Sequence, residues 1–297
     1  MGGSLSVEDE TGHGATFLLP RLLDADPVDW PVVRECILTC PDQCRMYCHG
    51  AEPSLLLRAI RRSAPVGVIE LLDINDEDAK DQISPASETI LHAAANDPEL
   101  VRYFLKRCPE QASMSDDLGR LPLHRSTNVE AARRLIDVYP KALRHRSGKF
   151  GRLALHEALL QDRIDPDLVR TLSRESGLET RASGCVMSRD KRGRTPFRLL
   201  LDSLEREFVD EQWNVLHEWI CRQWHTGPDL HVHIEHGGTK SLRMMEKALK
   251  AFPNQIVERD KFGRTPLHVA AFNGQCDADA LEALIRENPR APRMTGQ

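Results

Sequence analysis

Apolar residues fall along this chain in short helical stripes. In Leu100-Val101-Arg102-Tyr103-Phe104-Leu105 they recur at i, i+1, i+4 and i+5, one face of a helix, and Cys108-Pro109 then stops the run. The same stop recurs as Cys40-Pro41, Tyr139-Pro140, Phe252-Pro253 and Asn288-Pro289. Proline pushes the residue before it out of helical backbone, so each pair marks a helix end. Upstream of the stripes lies a second pattern, a turn that opens a shorter apolar stretch. It reads Asp260-Lys261-Phe262-Gly263-Arg264-Thr265-Pro266-Leu267-His268, and recurs from Asp116 to His124, from Gly148 to His156 and from Asp190 to Arg198. Weaker copies surround Leu56, Leu91 and Leu230. Measured at the Leu/Phe position (56, 91, 123, 155, 197, 230, 267), the spacing is 35, 32, 32, 42, 33 and 37. The pattern predicts units of a turn, an inner helix, an outer helix and a Pro-terminated return. No such unit buries its stripe alone, so stacking is required.

Each motif residue has a mechanical reason. Asp260 and Gly263 set a tight turn, glycine taking positive φ without cost from a Cβ. Thr265 can cap the next helix, and Pro266 sits where a missing N–H costs nothing. Leu267 and Ala270 share a helical face, and the small Ala lets the neighbouring unit approach. His268 is placed to hydrogen-bond the turn region; its recurrence at equivalent positions reads as scaffold rather than catalysis.

On these residues the sequence resembles the ankyrin-repeat family over about residues 28–297, with Gly-Arg-Thr-Pro-Leu-His at 263–268 its most specific stretch. The Pro-ended outer helix departs from the family's commoner Gly-containing loop, so the repeats are divergent. The resemblance implies an all-α solenoid of stacked helix-turn-helix units over 21–297, with a loop inserted at about 172–188 and no evident C-terminal cap. Residues 1–20 read differently. Met1-Gly2-Gly3 through Gly12-His13-Gly14-Ala15-Thr16-Phe17-Leu18-Leu19-Pro20 alternates polar and apolar around a glycine loop, which predicts a short N-terminal β-hairpin. It resembles the closing hairpin of histidine-kinase ATP-binding domains, without that family's nucleotide-contacting loops.

Composition narrows the function. Of the residues 40% are hydrophobic but only 5% aromatic, which suits short repeated stripes better than one large core. The net charge of −5 argues against a nucleic-acid binder by bulk charge, and no apolar run is long enough for a membrane span. The first residues show no signal-peptide pattern, so an intracellular, cytoplasmic location is expected, with a nuclear one left open. The eight cysteines then read as reduced thiols.

Two clusters carry candidate metal chemistry. Cys36, Cys40, Cys44 and Cys48, followed by His49, could hold zinc. Aligning the units on their prolines sets Cys36 opposite Phe104 and Leu135, and Cys44 opposite Ala112 and Leu143, which reads as packing. His231, His233 and His236, with His217 and His225 nearby, form the other cluster; His231 occupies the repeat's own histidine position, and the rest are expected to face solvent. No hydrolase, zinc-protease, P-loop or kinase motif occurs. A non-catalytic chain without cofactor is expected.

The resemblance places partner contacts on turn tips and inner helices. The tips carry Arg120; Lys149, Phe150 and Arg152; Lys191, Arg192 and Arg194; and Lys261, Phe262 and Arg264. Arg follows Gly in all four turns, which fits a scaffold role as well as a binding one. Lys149, Lys191, Arg192 and Lys261 are required by no turn mechanics. The expected function is a protein-interaction scaffold that takes a protein partner, an acidic segment by charge, with Trp219 on an outer helix as the other candidate contact. A regulatory fragment of a larger histidine-kinase-like protein is the alternative, and a metal-binding module a third.

Overall fold

The structure, a computed structural model, describes residues 18–41, 44, 54–75, 87–173, 183–186, 188–206, 209–223, 229–236, 242–260, 262–273 and 277–287. Every regular element among them is helical. The chain divides into two compact bodies, one of Met1–Ala142 with Ser147–Lys149, the other of Leu143–Arg146 with Phe150–Gln297.

The first body contains α1 (Leu18–Asp24), α2 (Trp30–Thr39), α3 (Leu55–Arg61), α4 (Val66–Asn75), α5 (Ile90–Ala94), α6 (Pro98–Arg107) and α7 (Val129–Val138), with 3-10 turns at Pro109–Ser113 and Pro122–Arg125. The repeat from 87 to 113 shows how these residues make these elements. Asp97 caps α6, its carboxylate accepting the N–H groups of Glu99 and Leu100 at 2.9 and 3.1 Å. Pro98 opens the helix, and Lys106 and Arg107 sit in its last turn, where they complement the dipole. The stripe Leu100, Val101 and Phe104 is buried, as the spacing predicts. At Cys108 the helix ends, the Cys108 N–H donating to the Phe104 carbonyl at 2.8 Å, and Pro109 starts a 3-10 turn. That turn carries Gln111, whose side-chain oxygen accepts the Leu91 N–H of α5 and so closes the repeat on its own inner helix.

Between repeats, buried acids hold register. Glu88 accepts from both Arg61 and Arg125, joining three successive repeats of this body. Burial alone would raise the Glu88 carboxyl's pKa, but the two guanidinium groups outweigh it and hold it below the ordinary glutamate value. Asp73 on α4, fully buried, accepts from the Tyr103 hydroxyl at 2.7 Å and from Arg107 Nε at 2.9 Å. Burial and this carboxylate push the Tyr103 phenol up to about 12.

The second body contains α8 (Ala154–Ala158), α9 (Pro166–Ser173), α10 (Ser183–Val186), α11 (Pro196–Arg206), α12 (Asp210–Gln223), α13 (Asp229–His236), α14 (Leu242–Ala251), α15 (Pro266–Asn273) and α16 (Ala278–Glu287), with a 3-10 turn at Pro253–Val257. Its last two repeats share one core: Leu230 and Ile234 of α13, Met245 and Leu249 of α14, Val269 and Ala270 of α15, and Ala280 and Leu284 of α16. Gln255 repeats the closure made by Gln111, accepting the Leu230 N–H at 2.8 Å.

Four expectations change here. The predicted N-terminal hairpin lies outside the described residues except for Leu18, Leu19 and Pro20, which open α1 rather than end a strand, Leu19 and Leu23 burying its apolar side. Of the 172–188 stretch expected as an inserted loop, Leu172 and Ser173 complete α9 as buried residues and Cys185 and Val186 of α10 are buried too, while 174–182 lie outside the described residues. His233 does not face solvent; its ring stacks on Trp213 at 5.7 Å and lies 5.6 Å from Phe252. Trp219 is 3% exposed and belongs to the interior, which removes it as a contact surface.

Candidate interaction surface

Three of the four turns are built by one device, at Asp116, Asp190 and Asp260. In the first, Asp116 Oδ1 accepts the N–H groups of Leu118 and Arg120 at 3.0 and 2.9 Å, while Oδ2 accepts Arg120 Nε at 2.9 Å. The backbone closes over the same residues, Asp116 N–H to the Arg120 carbonyl and Gly119 N–H to the Asp116 carbonyl. Asp190 repeats the set with Arg192 and Arg194, and Asp260 with Phe262 and Arg264. Burial alone would raise these three carboxyls, yet the hydrogen bonds and charge of the turn hold each below the ordinary aspartate value. Gly119, Gly151, Gly193 and Gly263 all take positive φ, between 63° and 77°.

The same turns are tied to their neighbours by histidine. His92 Nδ1 accepts from the N–H and hydroxyl of Thr89, leaving Nε2–H to donate to the Arg120 carbonyl of the next turn at 2.8 Å. His156 makes the equivalent bond to the Arg194 carbonyl, and His231 to that of Arg264. Burial pulls the pKa of His92 and His156 below the ordinary histidine value, which keeps them neutral bridges. At His231, 3% exposed, Nδ1 has no partner among the described residues. The residue three before it is Pro228, which has no N–H to offer. Adjacent tips are also stitched through the backbone: Lys149 N–H donates to the Leu118 carbonyl in the first body, and Lys191 N–H to the Phe150 carbonyl in the second.

These bonds sort the tip residues. Arg120, Arg194 and Arg264 each clasp the aspartate of their own turn. Arg152, whose turn has Gly148 in place of that aspartate, reaches Glu157 at 3.3 Å and Asp190 at 3.8 Å. Each arginine of the column is therefore engaged by a carboxylate of its own body. Two tip aromatics lie beneath these arginines: the Arg152 guanidinium is 4.6 Å from the Phe150 ring centroid and that of Arg264 is 5.0 Å from Phe262. Phe262 stays 68% exposed, whereas Phe150 is half-buried. Lys149 is exposed at a tip of the first body, Lys191 and Arg192 at a tip of the second. Lys261 lies outside the described residues. Sequence reasoning passed over Arg144, Arg146 and Arg189 because they stand just outside the motif.

Neither metal cluster assembles among the described residues, where no three His, Cys, Asp or Glu side chains converge. Cys36 and Cys44 are buried and Cys40 is exposed; Cys48, His49 and His225 lie outside the described residues, as do the side chains of His217 and His236. No described helix is long and apolar enough to cross a membrane.

A family model for the ankyrin repeat matches residues 262–294, which gives that stretch ankyrin-repeat character. No curated protein matches the chain at a significant level. Neither finding supports the likeness of residues 1–20 to a histidine-kinase hairpin.

Proposed function

We propose that the chain is a non-catalytic protein-interaction scaffold, its repeats stacked as a solenoid, that takes an acidic protein segment on its turn tips. The observation that carries this reading is the division of labour within the turns. The arginine after each glycine is consumed by an internal carboxylate, while Lys149, Lys191 and Arg192 stand exposed at positions the turn does not need. The ankyrin-repeat match supports it, since such repeats serve in general as protein-interaction modules.

A fluorescent oligoglutamate peptide titrated into the full chain tests the reading. Binding should be measurable at low salt and weaken as salt rises, because exposed charges are screened. The double variant Lys191→Glu with Arg192→Glu should lose that binding while its melting temperature stays within about 2 °C, as surface substitutions cost little. Undiminished binding by the double variant would overturn the tip assignment.

A further inference from the structure

The turn Ser188–Arg194 is unlike its three counterparts. At the position after the aspartate and the next one, the other turns carry Asp117 and Leu118, Lys149 and Phe150, or Lys261 and Phe262; this turn carries Lys191 and Arg192. Just before its aspartate stands Arg189, a place that Arg259 fills in the last turn and Ser115 and Ser147 in the first two, so that only here do three cations flank and follow the aspartate. Arg189, Lys191 and Arg192 are all exposed. The turn's only acid, Asp190, is buried and already engaged by Arg194 and Arg152.

A second basic segment is pinned to this turn. Arg146 donates from Nη1 to the Arg189 carbonyl at 2.6 Å and to the Gly151 carbonyl at 3.1 Å, and from Nη2 to the Ser188 hydroxyl. Arg144, exposed, stands two residues before Arg146 on the same return. All of these residues lie within the second body. A chain of net charge −5 thus gathers exposed cations at one tight turn.

Geometry selects the anion. Lys191 and Arg192 are the central residues of a β-turn closed by the Gly193 N–H to Asp190 carbonyl bond at 3.0 Å, so three exposed cations fall within four consecutive residues. A compact dianion concentrates its charge as this turn does, and arginine's planar fork suits the oxygens of phosphate. We propose that this turn is a docking site for a phosphorylated segment of a partner protein, Arg189, Lys191 and Arg192 contacting the phosphate and Arg146 positioning them. The proposal rests on the tip-binding reading above and names its ligand.

Three labelled peptides of common Gly-Ser background test it on the full chain: one with two adjacent phosphoserines, one with four glutamates as a charge match, and one with plain serines. The phosphopeptide should bind about tenfold more tightly than the glutamate peptide, and the serine peptide not at all. Neutralising Arg189, Lys191 and Arg192 together to Gln should abolish the difference, whereas Arg259→Gln, at the matching place in another turn, should leave it intact. Equal binding of phosphate and glutamate peptides overturns the phosphate assignment but leaves the acidic-segment reading standing. Absence of binding by both sinks both. Tighter binding to phosphatidylserine vesicles or to single-stranded RNA than to the phosphopeptide also overturns the proposal, since the turn would then be a general polyanion surface.

Discussion

Gly119 and Gly263 occupy the same place in their turns with nearly the same φ, 69° and 74°, yet their surroundings differ. A Cβ on Gly263 would meet nothing within 4 Å, whereas one on Gly119 would stand 2.3 Å from the Gly148 backbone nitrogen. Gly263→Ala therefore carries only the left-handed backbone cost, about 1 kcal/mol. Gly119→Ala carries that cost plus a collision between two backbones that are tied together, and should destabilise by well over twice as much, about 3 kcal/mol. Urea denaturation of the two variants checks this; equal losses would mean that the tips separate without penalty. The glycines, prolines and recurring histidines were legible in the sequence because backbone geometry restricts which residues can stand there. Gln111 and Gln255 were not, since a glutamine reaching back from a 3-10 turn leaves no periodic trace, although Pro109-x-Gln111 and Pro253-x-Gln255 share a spacing that could have exposed it.

Helix ends were legible for a related reason. A proline stop is a local steric fact, and α2, α6, α7 and α14 all end one residue before the residue that precedes a proline. What joins one element to another was much less so. Glu88 stands outside any motif, yet it links Arg61 of α3 to Arg125 of the 3-10 turn Pro122–Arg125. Glu88→Gln should cost about 1–3 kcal/mol, the lower end being expected because both arginines keep some access to water. Glu99→Gln is the contrasting case: its pair with Arg102 is exposed on both sides, and the change should stay within about 0.5 kcal/mol. Comparable losses from the two would show that the buried clamp adds nothing. His233 and Trp219 were misjudged because polarity and rarity were taken as signs of exposure. In the repeat formed by α13 and α14 a stacked imidazole helps fill the interior, and α12 carries Trp219 inward.

Across the whole molecule the buried histidines and the turn carboxylates predict a two-stage response to acid. His92 and His156 have folded pKa values below the ordinary one, so the unfolded chain binds protons first and stability falls as the pH drops through about 6.5. Glu88, Asp116, Asp190 and Asp260 also have lowered values, so their contribution is intact above about pH 4–5 and fades only as pH falls further. Urea midpoints between about pH 8 and pH 3 should show both declines; a plateau down to about pH 4.5 would contradict the neutral histidine bridges. The division into two compact bodies near residues 143–150 was invisible in a motif that runs through it without a break. The aspartate–arginine clasp has a consequence of another kind. Because holding the turn consumes Asp, Gly and Arg, the two side chains between Asp and Gly stand outside the clasp, as with Asp117 and Leu118 or Lys191 and Arg192. Each turn is in effect a two-letter word written on a fixed page. Such words can be exchanged between turns, or rewritten for a new partner, with the grammar that folds the chain left untouched.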